Sequence, residues 1–389
     1  MIEILDTNLI WEQTPVEIAA HLPDDPYEVS RQPVFADKAA LARALDEVQL
    51  IEPVATPESV VNTRQWLADI AINHSDIVVV QGPCNERVGK HTPGEIATHM
   101  LARRNVVNES TIGNHTMLVE RGLGQNTKPR SMPGGYCGDM VNDPDDLTPD
   151  PQRIVAAAAQ ARDVQHELAA SGKRAITAHE ALLLPYEQSR IAVDSETGVR
   201  YLLSADIPWI GDRTSNPDGA HVEMLHDIQN AIGIKVGDKT TPEHIAAWAA
   251  KLNPDQEAGK LIFMIRMSAQ NVDAMRAVIR AITETAPRSI ILYDMHEVTE
   301  DIGGQKIRAV SRIIDHIRLL ARVCAESDAV LDGVHLEAET LSDGQMQCVD
   351  EPNERPNCDW TVDPQLSLEQ LRRVLDECEP CFGKQRVAA

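Results

Sequence analysis

Short apolar runs alternate with helical patterns along the chain from residue 77 onward. The first run, Ile-Val-Val-Val at residues 77–80, stops at Gly82-Pro83 and is followed by Cys84. A continuous apolar run of this length is typical of a strand that is buried on both faces, as in a parallel sheet. Seven further runs are predicted as strands: Met117–Arg121, Ala175–Glu180, Ile207–Asp212, Ile232–Gly237, Leu261–Met267, Ser289–His296 and Ala329–Glu337.

Helix-start signals stand between most of these runs. Thr92-Pro93-Gly94-Glu95 combines an N-cap threonine, a proline at the first helical position and a capping-box acid. Comparable signals occur at Asp150-Pro151, at Thr241-Pro242 and at Ser367 with Gln370, and helices are also predicted over Asn271–Thr285 and Lys306–Ala325. Eight strands separated mostly by helices predict a (β/α)8 TIM barrel. A doubly wound open sheet is the alternative, but the chain has no Gly-x-Gly-x-x-Gly turn of that fold.

The N-terminal part of the chain has helical signals and no clear strand. Residues 1–70 are therefore predicted to form a helical extension, and residues 71–389 the barrel. Thr14-Pro15 with Glu17 predicts a short helix, and Thr56-Pro57 predicts a longer one that reaches Ile72. The stretch between them, around Pro33, is predicted to be an irregular arm. The extension is expected to act as an oligomer contact, as a cover for the barrel, or only in packing.

Charge and cysteine content narrow the class of protein. Lys and Arg number 36 against 60 Asp and Glu, which gives a formal charge of −24 and argues against nucleic acid or an anionic membrane as partner. No apolar run approaches the ~20 residues of a membrane span, and the N-terminus has no signal-peptide pattern. A soluble, cytoplasmic protein is expected. Its seven cysteines are expected to be reduced, and the lone Cys378-Glu-Pro-Cys381 motif is weak evidence for zinc.

Candidate chemistry lies at the carboxyl ends of the predicted strands, which meet at one mouth of such a barrel. The residues there are Cys84, Arg121, Glu180, Asp212, Arg213, Lys235, Arg266, His296 and Glu337. A thiolate, an imidazole and two carboxylates (Cys84, His296, Glu337 and Asp363) suit Mn, Co, Fe or Zn and not Mg or Ca. The cations of the mouth, with Lys128 and Arg130 from the loop after Arg121, call for phosphate or carboxylate groups on the substrate.

One loop resembles a known family. Arg121-Gly-Leu-Gly124-Gln125-Asn-Thr-Lys128-Pro129-Arg130-Ser131 is similar to the Arg-x-x-Gly-Gln-x-x-Lys-Pro-Arg-Ser signature of type II 3-deoxy-D-arabino-heptulosonate 7-phosphate (DAHP) synthases. The resemblance extends from about Val79 to Leu375. Further segments follow in the family order: Gly138-Asp139-Met140-Val141-Asn142, His179-Glu180, Trp209-Ile-Gly-Asp212-Arg213-Thr214, Asp218-Gly-Ala-His221, Lys235-Val-Gly237, Ile265-Arg266-Met267 and Gly333-Val-His335-Leu-Glu337.

The resemblance implies a metal-dependent transferase that condenses phosphoenolpyruvate with erythrose 4-phosphate, the first step of the shikimate pathway. It implies one divalent metal, Mn²⁺ or Co²⁺ before Fe²⁺ or Zn²⁺, on Cys84, His296, Glu337 and Asp363. Lys128, Arg130 and Ser131 would hold the aldose phosphate. Phosphoenolpyruvate would be held by Arg121, Glu180, Trp209, Arg213, Lys235 and Arg266. The groups that act in catalysis would be Asp212, Arg213, Lys235 and His296. A homo-oligomer, dimer or tetramer, is expected.

Several positions depart from the family pattern. The family usually has Asp-Pro-Met-His-Gly-Asn-Thr where this chain has Tyr293-Asp-Met-His-Glu-Val-Thr299. A glutamate before the active-site arginine is Asp212 here, and the residue before Asp363, often cysteine, is Val362. The helical insertion that in larger relatives helps bind aromatic amino-acid inhibitors is missing before the His179 strand, so feedback control of that kind is not expected.

These departures leave three functions open. The first is DAHP synthesis, in primary or secondary metabolism. The second is the same chemistry on another aldose phosphate, such as an amino-substituted tetrose phosphate. The third, of a different class, is a catalytically silent regulatory or partner subunit.

Overall fold

The structure is a computed structural model that describes residues 32–83, 87–121, 123, 135–302, 305–339, 348–352 and 363–383. In chain order the elements are α1 (Lys38–Gln49), α2 (Pro57–Asn73), β1 (Ile77–Gln81), α3 (Pro93–Glu109), β2 (Thr116–Glu120), α4 (Gln152–Ala170), β3 (Ile176–Glu180), α5 (Leu184–Ser189), β4 (Ile191–Val193), β5 (Arg200–Leu202), β6 (Ile207–Ile210), α6 (Ala220–Met224), β7 (Ile232–Gly237), α7 (Pro242–Leu252), β8 (Leu261–Arg266), α8 (Val272–Thr285), β9 (Ile290–Asp294), β10 (Glu300–Ile302), β11 (Gln305–Ile307), α9 (Val310–Ala325), β12 (Gly333–His335) and α10 (Leu368–Cys378).

Eight of the strands form a closed barrel in the order β1-β12-β9-β8-β7-β6-β3-β2. Every pairing around it is parallel, from β1 with β2 to β1 with β12. Helices connect the strands on the outside, so the predicted (β/α)8 barrel is confirmed. Each of the eight predicted apolar runs overlaps one barrel strand. Strands β6 and β12 are shorter than the predicted runs Ile207–Asp212 and Ala329–Glu337. The small hairpins β4–β5 and β10–β11 were not predicted.

Alternate residues of the barrel strands face two different apolar clusters. Val78 and Val80 pack inside the barrel with Met117 and Met264. Val79, between them, belongs to the larger cluster that also contains the inner faces of α7 to α10. Both faces of β1 are therefore buried, which explains why its sequence is apolar throughout.

Helix α2 closes the N-terminal end of the barrel. Its residues Leu67, Ile70 and Ala71 lie in the same cluster as the barrel interior. Arg64 anchors the helix to the loop before β8, donating to the Ala258 carbonyl at 3.0 Å and to Glu257 at 2.6 Å. Thr56 caps the helix as predicted, in a capping box with Ser59.

Two predictions of local structure were wrong. The stretch after Pro33 was predicted to be irregular, but α1 forms there because Asp37 caps it and its apolar face, including Leu45, packs against α4. The helix predicted over Lys306–Ala325 begins only at Val310, because residues 305–307 pair with β10 instead. The helix predicted at Thr14-Pro15 lies outside the described residues.

Among the described residues, no helix combines the length and the apolar composition that a membrane crossing requires.

Gly333 should not tolerate a side chain, because β12 closes the barrel against β1 at this residue. A Cβ at Gly333 would lie 1.9 Å from the Val78 carbonyl oxygen, so alanine must push two backbones apart. We expect Gly333→Ala to lower the free energy of unfolding by more than about 3 kcal/mol. Gly198→Ala is the matched control. Gly198 also has a positive φ, but its Cβ would meet nothing within 4 Å, so strain of only about 1–2 kcal/mol is expected.

Urea unfolding followed by circular dichroism measures both losses. Equal losses in the two variants would show that barrel closure does not require glycine at residue 333.

Candidate active site

The polar side chains of the candidate site stand where the barrel strands end. Lys235 lies near the end of β7, Asp294 ends β9, and His296 follows in a short 3₁₀ turn. Beyond β12 the backbone carbonyl of Glu337 accepts a hydrogen bond from Leu366 at 2.8 Å, which brings the segment that begins at Asp363 against the barrel. Because all strands run in one direction around a closed barrel, these side chains converge on one mouth.

Glu337 is a buried acid of the mouth with three side-chain partners. The residue is fully buried, and its Oε1 lies 2.9 Å from His296 Nε2 and 2.5 Å from Arg121 Nη1. Arg308 donates to its other oxygen, Oε2, at 2.8 Å. Burial alone would raise the pKa of Glu337, but the charges of His296, Arg121 and Arg308 hold it well below its usual range.

Asp363 completes this cluster from the other side. Its carboxylate pairs with Lys306 and lies 3.9 Å from Arg308 Nη2. Against the effect of burial, Arg308 and Lys306 lower the pKa of Asp363. Oxygen and nitrogen atoms of His296, Glu337 and Asp363 lie within 4.8 Å of one another. Two ionised carboxylates and one imidazole are ligand types of divalent metals, so the donor set fits a metal ion.

A second group of possible ligands lies beside the first and fits a metal less well. It consists of Asp294, His296 and His335. Asp294 is already engaged by Lys235, and His335 Nε2 lies 3.1 Å from Arg121. Burial and the charge of Lys235 lower the pKa of His335 to about 3, so this imidazole is neutral. We therefore assign the candidate metal centre to His296, Glu337 and Asp363.

The two most buried cations of the predicted substrate site lie over one aromatic ring. The Arg121 guanidinium is 5.5 Å from the centre of the Trp209 ring, and Lys235 Nζ is 5.4 Å from it. Lys235 is only 5% exposed, and burial lowers its pKa although Asp294 acts against this. A buried, nearly dry pair of cations is suited to bind a small anion strongly.

Two glycines leave room for acids next to these cations. A Cβ at Gly211 would lie 2.0 Å from Glu180 Oε1, and a Cβ at Gly237 would lie 2.4 Å from Asp212 Oδ1. Burial raises the pKa of Glu180, against the charges of Lys235 and Arg121. Asp212 itself is exposed at the rim.

The structure brings most of the predicted site residues to the mouth. A cluster connected through the contacts above is formed by Arg121, Trp209, Lys235, His296, Glu337 and Asp363, and Glu180 is close enough to interact electrostatically with Lys235 and Arg121. Arg266 is close enough to act electrostatically on Lys235, and Arg213 on Glu180; Arg213 is exposed at the rim with Asp212. Cys84, Lys128, Arg130 and Ser131 lie outside the described residues, so their roles stay predictions. Gly82, two residues before Cys84, accepts a hydrogen bond from Ala338, the residue after Glu337, at 3.1 Å.

Asp294, Arg308 and His335 were not predicted as site residues. Asp294 bonds to His296 and Lys235, and Arg308 bonds to Glu337 and to the Pro364 carbonyl at 2.5 Å. The signal for Asp294 was its position at a strand end, directly before Met295-His296. Arg308 gave no such signal, because the helix predicted from Lys306 placed it on an outer helix.

Comparisons with known proteins identify the family of this chain. The sequence profile described as "Class-II DAHP synthetase family" matches residues 25–174 and 163–374. The chain is 28% identical over 353 residues to "Probable phospho-2-dehydro-3-deoxyheptonate aldolase" of Pseudomonas fluorescens, covering 82% of this chain and 86% of that protein. It is 25% identical over 434 residues to the "Phospho-2-dehydro-3-deoxyheptonate aldolase" of Neurospora crassa, covering 88% and 90%.

A solved structure agrees on the fold. The phospho-2-dehydro-3-deoxyheptonate aldolase of Francisella tularensis superposes with a TM-score of 0.55, at 17% identity, over 91% of this chain and 98% of that one. At this identity the likeness shows the barrel fold alone. The profile match, in contrast, spans far more than half of the sequence, and the chain therefore belongs to the class-II DAHP synthetase family.

Proposed function

We propose that this chain condenses phosphoenolpyruvate with erythrose 4-phosphate and releases DAHP and inorganic phosphate, the first step of the shikimate pathway. The observation that carries the proposal is the shared mouth. The candidate metal ligands His296, Glu337 and Asp363 lie in one bonded cluster with the buried cations Arg121 and Lys235. A reaction that joins an anionic enol phosphate to an aldehyde needs the metal ligands and the anion-binding cations side by side.

The buried cations bind and orient phosphoenolpyruvate. Lys235 and Arg121, with Arg266 at the rim, neutralise its carboxylate and phosphate, and the Trp209 ring supports both inner cations from below. Because these groups are held by buried partners before substrate arrives, little reorganisation is needed when it binds. This leaves C3 of phosphoenolpyruvate positioned to attack the aldehyde carbon. Water then adds to C2, and phosphate leaves.

The acids and imidazole of the mouth would hold the divalent metal. When bound, such a metal polarises the aldehyde carbonyl as a Lewis acid. Arg121 and Arg308 keep Glu337 ionised and fixed in orientation, and Lys306 does the same for Asp363. We propose one divalent transition metal, Mn²⁺ or Co²⁺ before Fe²⁺ or Zn²⁺. Nitrogen and oxygen ligands with a predicted thiol at Cys84 suit all four metals, and the order follows the resemblance to the family.

One observation favours a modified second substrate. Glu297 lies in the mouth where the family signature has glycine, and burial and the charge of Asp238 raise its pKa to about 7. Arg266 is close enough to oppose this shift. Glu297 and Asp238 together would complement an amino group on the substrate. An amino-substituted tetrose phosphate is therefore the alternative aldose.

A panel of aldose phosphates separates the candidate functions. The purified chain, loaded with Mn²⁺, is expected to release phosphate from phosphoenolpyruvate with erythrose 4-phosphate, and an amino-tetrose phosphate is the critical comparison. Turnover with the analogue alone would replace the first candidate by the second. No turnover with any aldose phosphate would favour the silent partner subunit. Activity of the purified chain without another protein would eliminate that function.

Cys84→Ser tests the sulfur ligand. A neutral hydroxyl cannot replace a soft thiolate, so the affinity for Mn²⁺ or Co²⁺ should fall by more than about tenfold, the smallest loss usual even for groups that only support ligands. Titration calorimetry of the metal-free protein measures this. Cys137→Ser is the control, because the Cys137 thiol donates to a nearby backbone carbonyl, that of Gly135, and among the described residues it belongs to neither group of possible metal ligands. Equal affinities in the two variants would remove Cys84 from the metal site.

The division of cations between the two substrates is also testable. Loss of a cation that holds a phosphate removes about 1.5–3 kcal/mol, or roughly tenfold to a hundredfold in affinity. Lys235→Ala should raise KM for phosphoenolpyruvate more than KM for the aldose phosphate, and Arg130→Ala should do the reverse. Lys239→Ala controls for a general electrostatic field, since Lys239 is exposed beside the mouth. Equal shifts for both substrates in both variants would reject the division.

A further inference from the structure

Asp294 connects two residues to which different tasks are assigned. It ends β9 and is fully buried. Its Oδ1 lies 2.5 Å from His296 Nδ1 and accepts from the His296 backbone N–H at 3.1 Å. Its Oδ2 lies 3.1 Å from Lys235 Nζ. One carboxylate thus contacts both the imidazole of the metal centre and the ammonium of the phosphoenolpyruvate site.

The contact with His296 fixes the orientation of its imidazole ring. Asp294 is paired with the Lys235 ammonium, and its carboxylate accepts from the Nδ1 side of the ring at 2.5 Å. The ring is therefore turned so that its other nitrogen, Nε2, faces Glu337 Oε1 at 2.9 Å. Carboxylates that bind the far nitrogen of a metal-binding histidine fix its tautomer and raise its basicity.

The contact with Lys235 supplies a buried counter-charge. Lys235 projects from β7 and His296 follows β9, with β8 between them in the barrel. Asp294 spans this gap, so the positions of the ammonium and the imidazole are no longer independent. His335 approaches the same carboxylate, with Nδ1 3.6 Å from Oδ1, and its other nitrogen faces Arg121.

We propose that Asp294 is a positioning residue that fixes His296 for metal binding and Lys235 for phosphoenolpyruvate binding in one geometry. The proposal rests on the proposed function for the identity of the two ligands. His296 and Lys235 are thus coupled through one buried carboxylate.

Metal affinity gives the first test, because it needs no substrate. We expect Asp294→Asn to weaken Mn²⁺ binding to the metal-free protein by about tenfold to a hundredfold, and Asp294→Ala by more. Asparagine keeps the shape and one acceptor oxygen, so it covers the case in which the alanine variant does not fold. Calorimetry gives the affinities, and circular dichroism confirms folding.

Asp332→Asn is the matched control at the opposite end of the barrel. Asp332 is also buried next to a histidine, with Oδ1 2.7 Å from His74 Nδ1, and it accepts from the Ile291 backbone N–H at 2.9 Å. Its loss should reduce stability and leave Mn²⁺ affinity unchanged. Equal Mn²⁺ affinity in wild type and a folded Asp294→Asn variant would overturn the proposal, as would an equal loss in Asp332→Asn.

A second readout separates positioning from general damage. In the ¹⁵N spectrum of the metal-free protein, the His296 Nδ1–H should show a strong hydrogen bond to a carboxylate in wild type and lose that signature in the Asp294 variants. A wild-type pattern in Asp294→Ala would contradict the proposal. Neither measurement depends on turnover, so a failure of the wild-type chain to make DAHP would refute the proposed function and leave this inference to be judged by itself.

Discussion

The mouth of the barrel depends on the contact between Glu337 and two guanidinium groups. A fully buried carboxylate is costly unless charged partners compensate it. Arg121 comes from the end of β2 and Arg308 from the segment after β11, and both bond the same carboxylate. Arg308 also bonds the Pro364 carbonyl, next to Asp363. One acid therefore connects distant parts of the chain, and the positions of the candidate metal ligands follow from it.

The mouth gathers several cations in a protein whose net charge is strongly negative. The chain carries a formal charge of −24, which would repel anionic substrates at long range. Within the mouth, Arg121 and Lys235 stand almost dry over Trp209, where a charge interaction is stronger than in water. The proposed binding of a phosphate therefore acts at short range, through buried cations that are paired with Glu337 and Asp294.

The barrel could be predicted from the sequence because strands buried on both faces leave a simple pattern of apolar runs. Strands buried on both faces must be apolar throughout, and each such run, from Ile77 onward, overlaps a strand. Residues at strand ends were therefore found, including Lys235 and His296. Arg308 was missed because its role depends on residues 305–307 pairing with β10, a tertiary choice that a helical pattern conceals. Helix α1 was missed because a nearby proline suggested irregular chain, whereas its stability comes from packing on α4.

Helix α2 has a consequence for how this protein can be divided. Leu67 and Ile70 complete the same apolar interior that Val78 and Val80 begin. A fragment that starts after this helix would expose the apolar interior to solvent at the N-terminal end of the barrel. The helix is thus part of the barrel's folding unit although it precedes the first strand. A barrel separated from the rest of the chain must therefore keep residues 57–73 to keep its apolar interior covered.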